Sequence, residues 1–198
     1  LIYYTIKAAL SSKYIDKTII SSDDDKVIEY VKKFNVDSIR RPKNISRDES
    51  TASEVVSHAI KKLSNYEKGS NPFIIYLQPT SPLRSSNHID KMISKFEEDK
   101  RSCAISVKEI DSSLLKSFRI DDKQNLKTIF NKRYLNSNRQ DLPKLYLANG
   151  AMYLFKMSHF LKSNRFPSSG NYPYVMREKD SIDIDTIEDF VIVKKFLK

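Results

Sequence analysis

The sequence predicts an α/β protein, a Rossmann-like three-layer sandwich in which helices cover both faces of a mostly parallel sheet. Short β-branched or aromatic runs, such as residues 17–21 and 73–77, alternate with segments such as 50–63, whose apolar residues recur at helical spacing. Alternation of this kind is typical of parallel strands joined by helices. The 198 residues are enough for one domain with a substantial core, so residues 1–198 are predicted to form a single domain.

The order of the elements follows from the same periodicity. A first helix at 1–10 precedes the strand at 17–21, and Asp23 is a candidate N-cap for the next helix, which continues to Phe34. The remaining predicted elements are strands at 36–39, 73–77, 103–108 and 145–155, helices at 50–63 and 87–98, and a C-terminal helix after Asp185. From about 109 to 147 the pattern loosens into short strands and a polar stretch, which in a compact domain is usually either functional or disordered.

Composition excludes several classes of protein. The formal net charge is +10, but the lysines are scattered along helix faces among acidic residues, which favours a solvated surface over a nucleic-acid interface. No apolar run approaches the ~20 residues that span a bilayer, so no membrane partner is expected. The single cysteine, Cys103, cannot form an internal disulfide, and this fits a cytoplasmic protein.

The loop after the predicted strand at 73–77 carries the densest group of polar side chains. It contains Gln78, Thr80, Ser81 and Arg84, with two prolines that restrict the backbone. Because ligands of open α/β sheets bind beyond the carboxyl ends of strands, the loop is well placed to hold a substrate. A proline-rich turn with a surface arginine is the alternative.

Two other groups have the chemistry of a site. Asp183 and Asp185, at i and i+2, would share one face of an extended segment and offer the hard oxygen ligands that Mg²⁺ prefers; alternatively, Asp185 only caps the final helix. Arg41 and Arg84 are candidates for recognition of phosphate or carboxylate. Asn149 and Gly150 within a strand indicate either close approach by a ligand or a bulge.

One expected feature of a nucleotide-binding domain is missing from the sequence. The chain has three glycines and opens directly with a helix, whereas such domains usually open with a strand and a glycine-rich loop that cradles phosphate. The sequence as given therefore offers no phosphate loop of this kind.

Over nearly its whole length the chain resembles the acylneuraminate cytidylyltransferases, also called CMP-sialic acid synthetases. The most specific of the motifs that carry this resemblance is QPTSPLR at 78–84. The others are LIYYTIKAAL at 1–10, ISSDD at 20–24, RP at 41–42 with Asp48 and TAS at 51–53, RQDLP at 139–143, NGAMY at 149–153 and DSIDIDT at 180–186.

The resemblance implies a reaction and its substrates. The anomeric hydroxyl of a nine-carbon sialic-acid-type sugar would attack the α-phosphorus of CTP, giving CMP-sugar and pyrophosphate, with Mg²⁺ (or Mn²⁺) neutralising the leaving group. It also implies a homodimer, for which the arm is expected at about 109–147. Because the family opens with a strand and a loop that holds the triphosphate, the resemblance further predicts that such a segment precedes the given sequence in a longer chain. Alternatives within enzymes are legionaminic or pseudaminic acid as acceptor, while the loop at 78–84 argues against a 3-deoxy-manno-octulosonate enzyme. A non-catalytic basic binding module is the alternative outside enzymes.

The same resemblance implies roles for individual residues. Asp183 and Asp185 would hold the metal, and one of them would assist deprotonation of the attacking hydroxyl. The residues expected to contact substrates or to act in catalysis are Arg41 and Thr51 at the nucleotide, Gln78, Thr80, Ser81 and Arg84 at the sugar or its junction with the nucleotide, Lys116 and Arg139 at the sugar carboxylate or the phosphates, Asn149 and Tyr153 in the sugar pocket, and Phe166 as its apolar wall.

Overall fold

The computed structural model describes residues 1–63, 71–99, 101–166 and 171–197. Its helices are α1 (Ile2–Leu10), α2 (Asp25–Val31), α3 (Ala52–Leu63), α4 (Ser86–Glu98), α5 (Met157–Ser163) and α6 (Ile187–Lys194). Its strands are β1 (Ile19–Ser22), β2 (Asp37–Arg40), β3 (Phe73–Leu77), β4 (Cys103–Ile110), β5 (Phe118–Ile120), β6 (Leu126–Thr128), β7 (Leu145–Lys156) and β8 (Tyr172–Met176). Among the described residues, no helix has the length and apolarity needed to cross a membrane.

The main sheet contains four strands in the order β3-β7-β4-β8. Strands β4 and β8 pair in parallel, but β7 lies antiparallel to both of its neighbours. This sheet is therefore mixed, where the sequence predicts a mostly parallel one. Residues 111–144, all of which the structure describes, contain no α-helix, so the chain returns from β4 to β7 without the helical crossover that parallel neighbours need.

Helices cover both faces of the main sheet, as predicted. One face packs on α1 and α4, and its core contains residues such as Ala8, Met92 and Leu154. The other face packs on α3 and α5, with Val56 and Phe160 against Phe155. Residues 152–155 of β7 alternate between the two cores, as the twofold period of a strand requires.

Strands β1 and β2 form a separate two-stranded parallel sheet. Ile6 of α1, Ile20 of β1 and Val31 of α2 make a third, smaller core behind it. Helix α2 begins one residue later than predicted, because Asp24 rather than Asp23 is its N-cap and accepts the Lys26 N–H. The Asp23 carboxylate is thereby left free to pair with an arginine.

Residues 111–144 form a second region, built from 3₁₀ turns and the β5–β6 hairpin. Its apolar side chains are largely in solvent, including Ile120 at 63% and Leu126 at 65% exposure. Leu115 and Leu142 are its buried anchors. Much apolar surface thus remains uncovered here within the single chain.

The single cysteine lies at the start of β4, beneath α3 and α5. Cys103 packs with Phe155 and Phe160 and is buried. Burial raises the pKa of its thiol, so the thiolate is disfavoured at neutral pH.

Candidate functional site

The loop that follows β3 is fixed by a buried arginine. Arg84 is 2% exposed; its Nη1 donates to the Gln78 and Ala151 carbonyls at 3.1 and 2.8 Å, and its Nη2 donates to Thr5 Oγ1 at 2.7 Å. Burial lowers its pKa to about 10, although the charge of Asp183 opposes that shift. The geometry therefore makes Arg84 a brace between the loop, β7 and α1, where the sequence analysis places it on the substrate.

Asp183 lies against the same loop from the opposite end of the chain. Its Oδ1 accepts a hydrogen bond from the buried Ser81 hydroxyl at 3.1 Å, and the Ile184 N–H donates to the Thr80 carbonyl at 2.9 Å. The structure thus brings together Thr80, Ser81 and Asp183, which are about a hundred residues apart in sequence. The hydroxyl holds Oδ1, and the other carboxylate oxygen, Oδ2, lies beside Gly150.

Gly150 lies where β7 leaves regular pairing. The register between β4 and β7 shifts between Ile105 and Val107, which marks a bulge, and Gly150 has φ +74°. A Cβ at this position would lie 2.5 Å from Gln78 Oε1 and 3.2 Å from Asp183 Oδ2. The sequence analysis interpreted the Asn149-Gly150 pair as either a bulge or a point of close approach. The structure has a bulge here, and side chains also approach its backbone closely.

Asn149 is buried beneath the bulge and is fully engaged with protein. Its Oδ1 accepts from Ser106 Oγ at 2.6 Å, and its Nδ2 donates to Ser181 Oγ at 2.9 Å. This network joins β4, β7 and the segment that leads to Asp183. Asn149 is expected from the sequence to line a sugar pocket. In the structure it is buried, and both atoms of its amide are bonded to protein.

Three aromatic rings form a wall beside Gln78. Tyr76 and Tyr153 are cross-strand partners, and Phe166 lies 5.4 Å and 4.8 Å from them between ring centroids. Burial raises the pKa of Tyr153, and the charge of Asp183 adds to that shift. The wall contains the two expected residues, Tyr153 and Phe166, together with Tyr76.

Tyr76 was not predicted as a site residue. Burial raises the pKa of its hydroxyl, while the positive charge of Arg41 and a hydrogen bond with the Gln78 side chain oppose that shift. A signal was available, because residues i and i+2 of a strand share a face, and Tyr76 lies two residues before Gln78.

The expected nucleotide residues, Arg41 and Thr51, are held in different ways. Arg41 donates through Nε to Ser46 Oγ at 3.0 Å and through Nη2 to Asp23 Oδ1 at 2.8 Å. Thr51 is exposed, and its hydroxyl and N–H both bond the Glu54 carboxylate at the start of α3. Arg41 is therefore half-buried and held by two hydrogen bonds, whereas Thr51 bonds Glu54 in the first turn of α3.

Lys116 and Arg139 belong to the exposed region at 111–144. Lys116 Nζ donates to the Ser137 carbonyl at 2.7 Å, so this lysine folds back on its own region. Arg139 has 79% of its side chain exposed and forms an ion pair with Asp111 at 3.3 Å. Neither contacts the group around Asp183 in this structure.

The second expected metal ligand, Asp185, is exposed and does not cap the final helix. Thr186 is the N-cap of α6 and shares a capping box with Asp189. The alternative role weighed for Asp185 is thereby filled by its neighbour. Residues 182–185 belong to no assigned strand, so the shared face expected for the two aspartates is not imposed by sheet pairing.

The carboxylates provide a small donor set for a cation. Within the described ranges, no group of three or more His, Cys, Asp or Glu side chains could hold a metal. Mg²⁺ commonly uses one or two carboxylates and completes its shell with water and substrate phosphates, so Asp183 Oδ2 and the exposed Asp185 fit its requirements. A zinc-type centre does not fit these residues.

Comparison with known proteins decides the family. A family model described as cytidylyltransferase matches residues 1–195. The chain belongs to this cytidylyltransferase family. This agrees with the resemblance drawn from the motifs.

Two curated relatives show how the chain compares with longer proteins. N-acylneuraminate cytidylyltransferase of Escherichia coli O18:K1:H7 is 29% identical over 96% of this chain, but the match covers 44% of that protein. Pseudaminic acid cytidylyltransferase of Campylobacter jejuni serotype O:2 is 27% identical over the whole chain and is covered to 85%. The chain therefore spans less than half the length of the first of these relatives.

A solved structure supports the fold. CMP:2-keto-3-deoxy-manno-octonic acid synthetase, solved with CTP, superposes with a TM-score of 0.69 over 98% of this chain and 86% of its own. Its sequence is 12% identical, so the likeness concerns the fold alone.

Proposed function

We propose that the protein is a cytidylyltransferase that joins a nine-carbon sialic-acid-type sugar to CMP and releases pyrophosphate from CTP. The observation that carries the proposal is the meeting of Gln78 and Asp183 over the bare backbone of Gly150, with Ser81 orienting the carboxylate. A nucleotidyl transfer depends on such positioned polar groups more than on covalent chemistry by the protein.

The sugar's anomeric hydroxyl would attack the α-phosphorus of CTP, forming the new P–O bond as the bond to pyrophosphate breaks. Asp183 would accept the proton through Oδ2, since the Ser81 hydroxyl already donates to Oδ1. Asp183 and Asp185 would hold Mg²⁺ (or Mn²⁺). When bound, the ion supplies charge neutralisation for the leaving pyrophosphate.

The two substrates would lie on either side of the aromatic wall. Arg41, whose charge acts on Tyr76, would face the nucleotide phosphates, with Thr51 nearby at the start of α3. Tyr153 and Phe166 would pack against the apolar face of the sugar. Thr80, whose carbonyl is already bonded, would offer the sugar its hydroxyl.

The sugar carboxylate would be recognised by cations from the exposed region. Lys116 and Arg139 carry the required charge, and both are held only by contacts within residues 111–144. We propose that ligand binding draws them toward the site. Lys116 and Arg139 would have to move to reach the sugar, whereas the contacts around Asp183 already exist.

A second copy of the chain is the proposed partner of the exposed region. Phe118, Ile120 and Leu126 on the hairpin are all more than two-fifths exposed, and a contiguous apolar surface of this kind commonly marks an interface. A homodimer through this arm would bury them. Light scattering after size-exclusion chromatography should give a dimer mass, and Ile120→Asp should convert it to a monomer.

Sialic acid is the acceptor we favour, with pseudaminic and legionaminic acids as the related candidates. The E. coli relative bears the name of the first activity and the Campylobacter relative that of the second, at nearly equal identity. The cytoplasm, where CTP is available, suits a chain with one buried cysteine.

The test is pyrophosphate release by the purified protein from CTP with each sugar acid, in the presence of Mg²⁺. We expect release with one nine-carbon acid and none with CTP alone. Asp122→Asn, which changes an exposed carboxylate of the hairpin turn, is the control variant for Asp183→Asn. Absence of release with every sugar, together with salt-sensitive binding to DNA or RNA, would favour a basic binding module instead.

A further inference from the structure

The Gln78 side chain is confined on two sides. Its Oε1 lies over Gly150, 2.5 Å from the position that a Cβ would occupy, and the side chain also forms a hydrogen bond with the Tyr76 hydroxyl. Asp183 Oδ2 lies 3.2 Å from the same Cβ position. The Gln78 amide and the Asp183 carboxylate thus converge on the space that a side chain at position 150 would occupy.

We propose that Gly150 is a positioning residue, whose lack of a side chain keeps the Gln78 amide and the Asp183 carboxylate on one side of the substrate. A methyl group at 150 would overlap the amide oxygen and crowd the carboxylate oxygen. Of the two, Gln78 would move, because its amide ends a flexible chain, while Asp183 is fixed by the Ser81 hydroxyl. The kinetic consequence rests on the proposed function, but the structural one does not.

Glycine at 150 also has a purely conformational explanation, and the test must distinguish it from the positioning role. Its φ of +74° is itself unfavourable for L-residues, so any substitution strains the backbone. Strain alone would lower stability and leave the Gln78 amide where it is. Displacement of the amide is therefore the outcome that distinguishes positioning from a need for a flexible backbone.

The first measurement requires no substrate. In ¹⁵N–¹H spectra of the full chain, the Gln78 side-chain amide is assigned by its loss in Gln78→Ala. We expect Gly150→Ala to shift this pair of resonances while leaving the side-chain amide of Gln124, on the distant hairpin, unchanged. Ala148→Ser, an exposed change on the same strand, is the matched control and should shift neither. An unmoved Gln78 amide in folded Gly150→Ala overturns the proposal.

The second measurement is a double-mutant cycle on kcat/KM for pyrophosphate release. Gly150→Ala should lower kcat/KM by about 10-fold or more in the natural background, but by less than about 3-fold when Gln78 is already alanine, because residues in contact are not additive. Equal losses in both backgrounds would contradict a role through Gln78. If Gly150→Ala does not fold, Gly150→Asn keeps the test, since asparagine tolerates positive φ and still adds the Cβ.

The two proposals fail separately. A natural protein that releases no pyrophosphate with any sugar removes the proposed function but leaves the spectroscopic result standing. An active natural protein with an unmoved Gln78 amide in Gly150→Ala removes the positioning role alone.

Discussion

The two regions that carry the charged residues predicted for the site are built differently. Around Asp183, polar groups are buried and bonded to partners from distant parts of the chain, with Arg84 spanning 67 and 79 residues to reach Ala151 and Thr5. In residues 111–144, Lys116 and Arg139 bond partners 21 and 28 residues away within the same region; Lys116 is partly buried and Arg139 is exposed. The groups around Asp183 are thus held by contacts between distant segments, whereas Lys116 and Arg139 are held by contacts within one short region.

We call the region around Asp183 the inner region and residues 111–144 the outer region. The largest expected effect is on the chemistry of the inner region. Asp183→Asn keeps the shape of the side chain but removes the charge, and we expect kcat/KM for pyrophosphate release to fall about 1,000-fold, equivalent to several kcal/mol of transition-state stabilisation. Asp122→Asn should leave it within about twofold. Comparable losses in both variants would remove the distinction between the regions.

The next prediction compares two arginines by stability. Arg84→Ala leaves two carbonyls and the Thr5 hydroxyl without their donor, and should lower the free energy of unfolding by about 3 kcal/mol. Arg139→Ala, at an exposed ion pair, should change it by less than about 0.5 kcal/mol. Urea denaturation of both variants provides the measurement, and a larger cost for Arg139 would reverse the comparison.

A smaller effect is expected from the hydroxyl that orients Asp183. Ser81→Ala removes one hydrogen bond to a carboxylate and should cost about 1 kcal/mol in stability, with a fall of about 10-fold in kcat/KM. Ser112→Ala, which removes a hydroxyl bonded to the Pro143 carbonyl in the outer region, is the matched control. Equal kinetic losses for the two serines would show that Ser81 does not act through Asp183.

The smallest effect concerns the free energy of unfolding in acid, to which His88 contributes. His88 Nδ1 accepts the Ser85 N–H in the capping box of α4, and its Nε2 lies 3.7 Å from Asp180. Burial lowers the pKa of His88, Asp180 raises it, and Arg177, Lys91 and Arg84 lower it further.

The net depression of this pKa fixes the sign of the pH dependence. The unfolded chain takes up the proton first as the pH falls through the ordinary value of 6.5, so stability is lost from there toward the folded-state pKa. His88→Asn, which retains an acceptor for the cap, should flatten this part of the profile. The midpoint of urea unfolding between pH 7.5 and 5 gives the measurement, and an unchanged profile would exclude His88 as the source.

The sequence predicted the parts of the fold that depend on local pattern. Strand β3 lies at 73–77 as expected, with QPTSPLR directly after it, and the Asn149-Gly150 pair does mark an irregularity in β7. These succeed because periodicity, prolines and a glycine within a strand act over a few residues. The resemblance assigned Asp183 and the loop to one site, and the hydrogen bonds between them came from the structure.

What the sequence left undecided depends on contacts between remote residues. Arg84 looked like a ligand for phosphate, because nothing near it in sequence shows that Thr5 and Ala151 accept its hydrogen bonds. The burial of Asn149 was not visible for the same reason, since Ser106 and Ser181 bind it from other elements. The direction of β7 was wrong, because a loosely patterned stretch does not reveal whether the chain crosses over or turns back.

The burial of Cys103 has a practical consequence. Because this thiol is enclosed and its thiolate is disfavoured, a cysteine placed on the exposed region, for example by Gln124→Cys, would react with maleimide dyes much faster. A fluorophore could therefore be attached to the hairpin without first removing the native cysteine. The outer region would then report its own movement while the inner region kept its natural sequence.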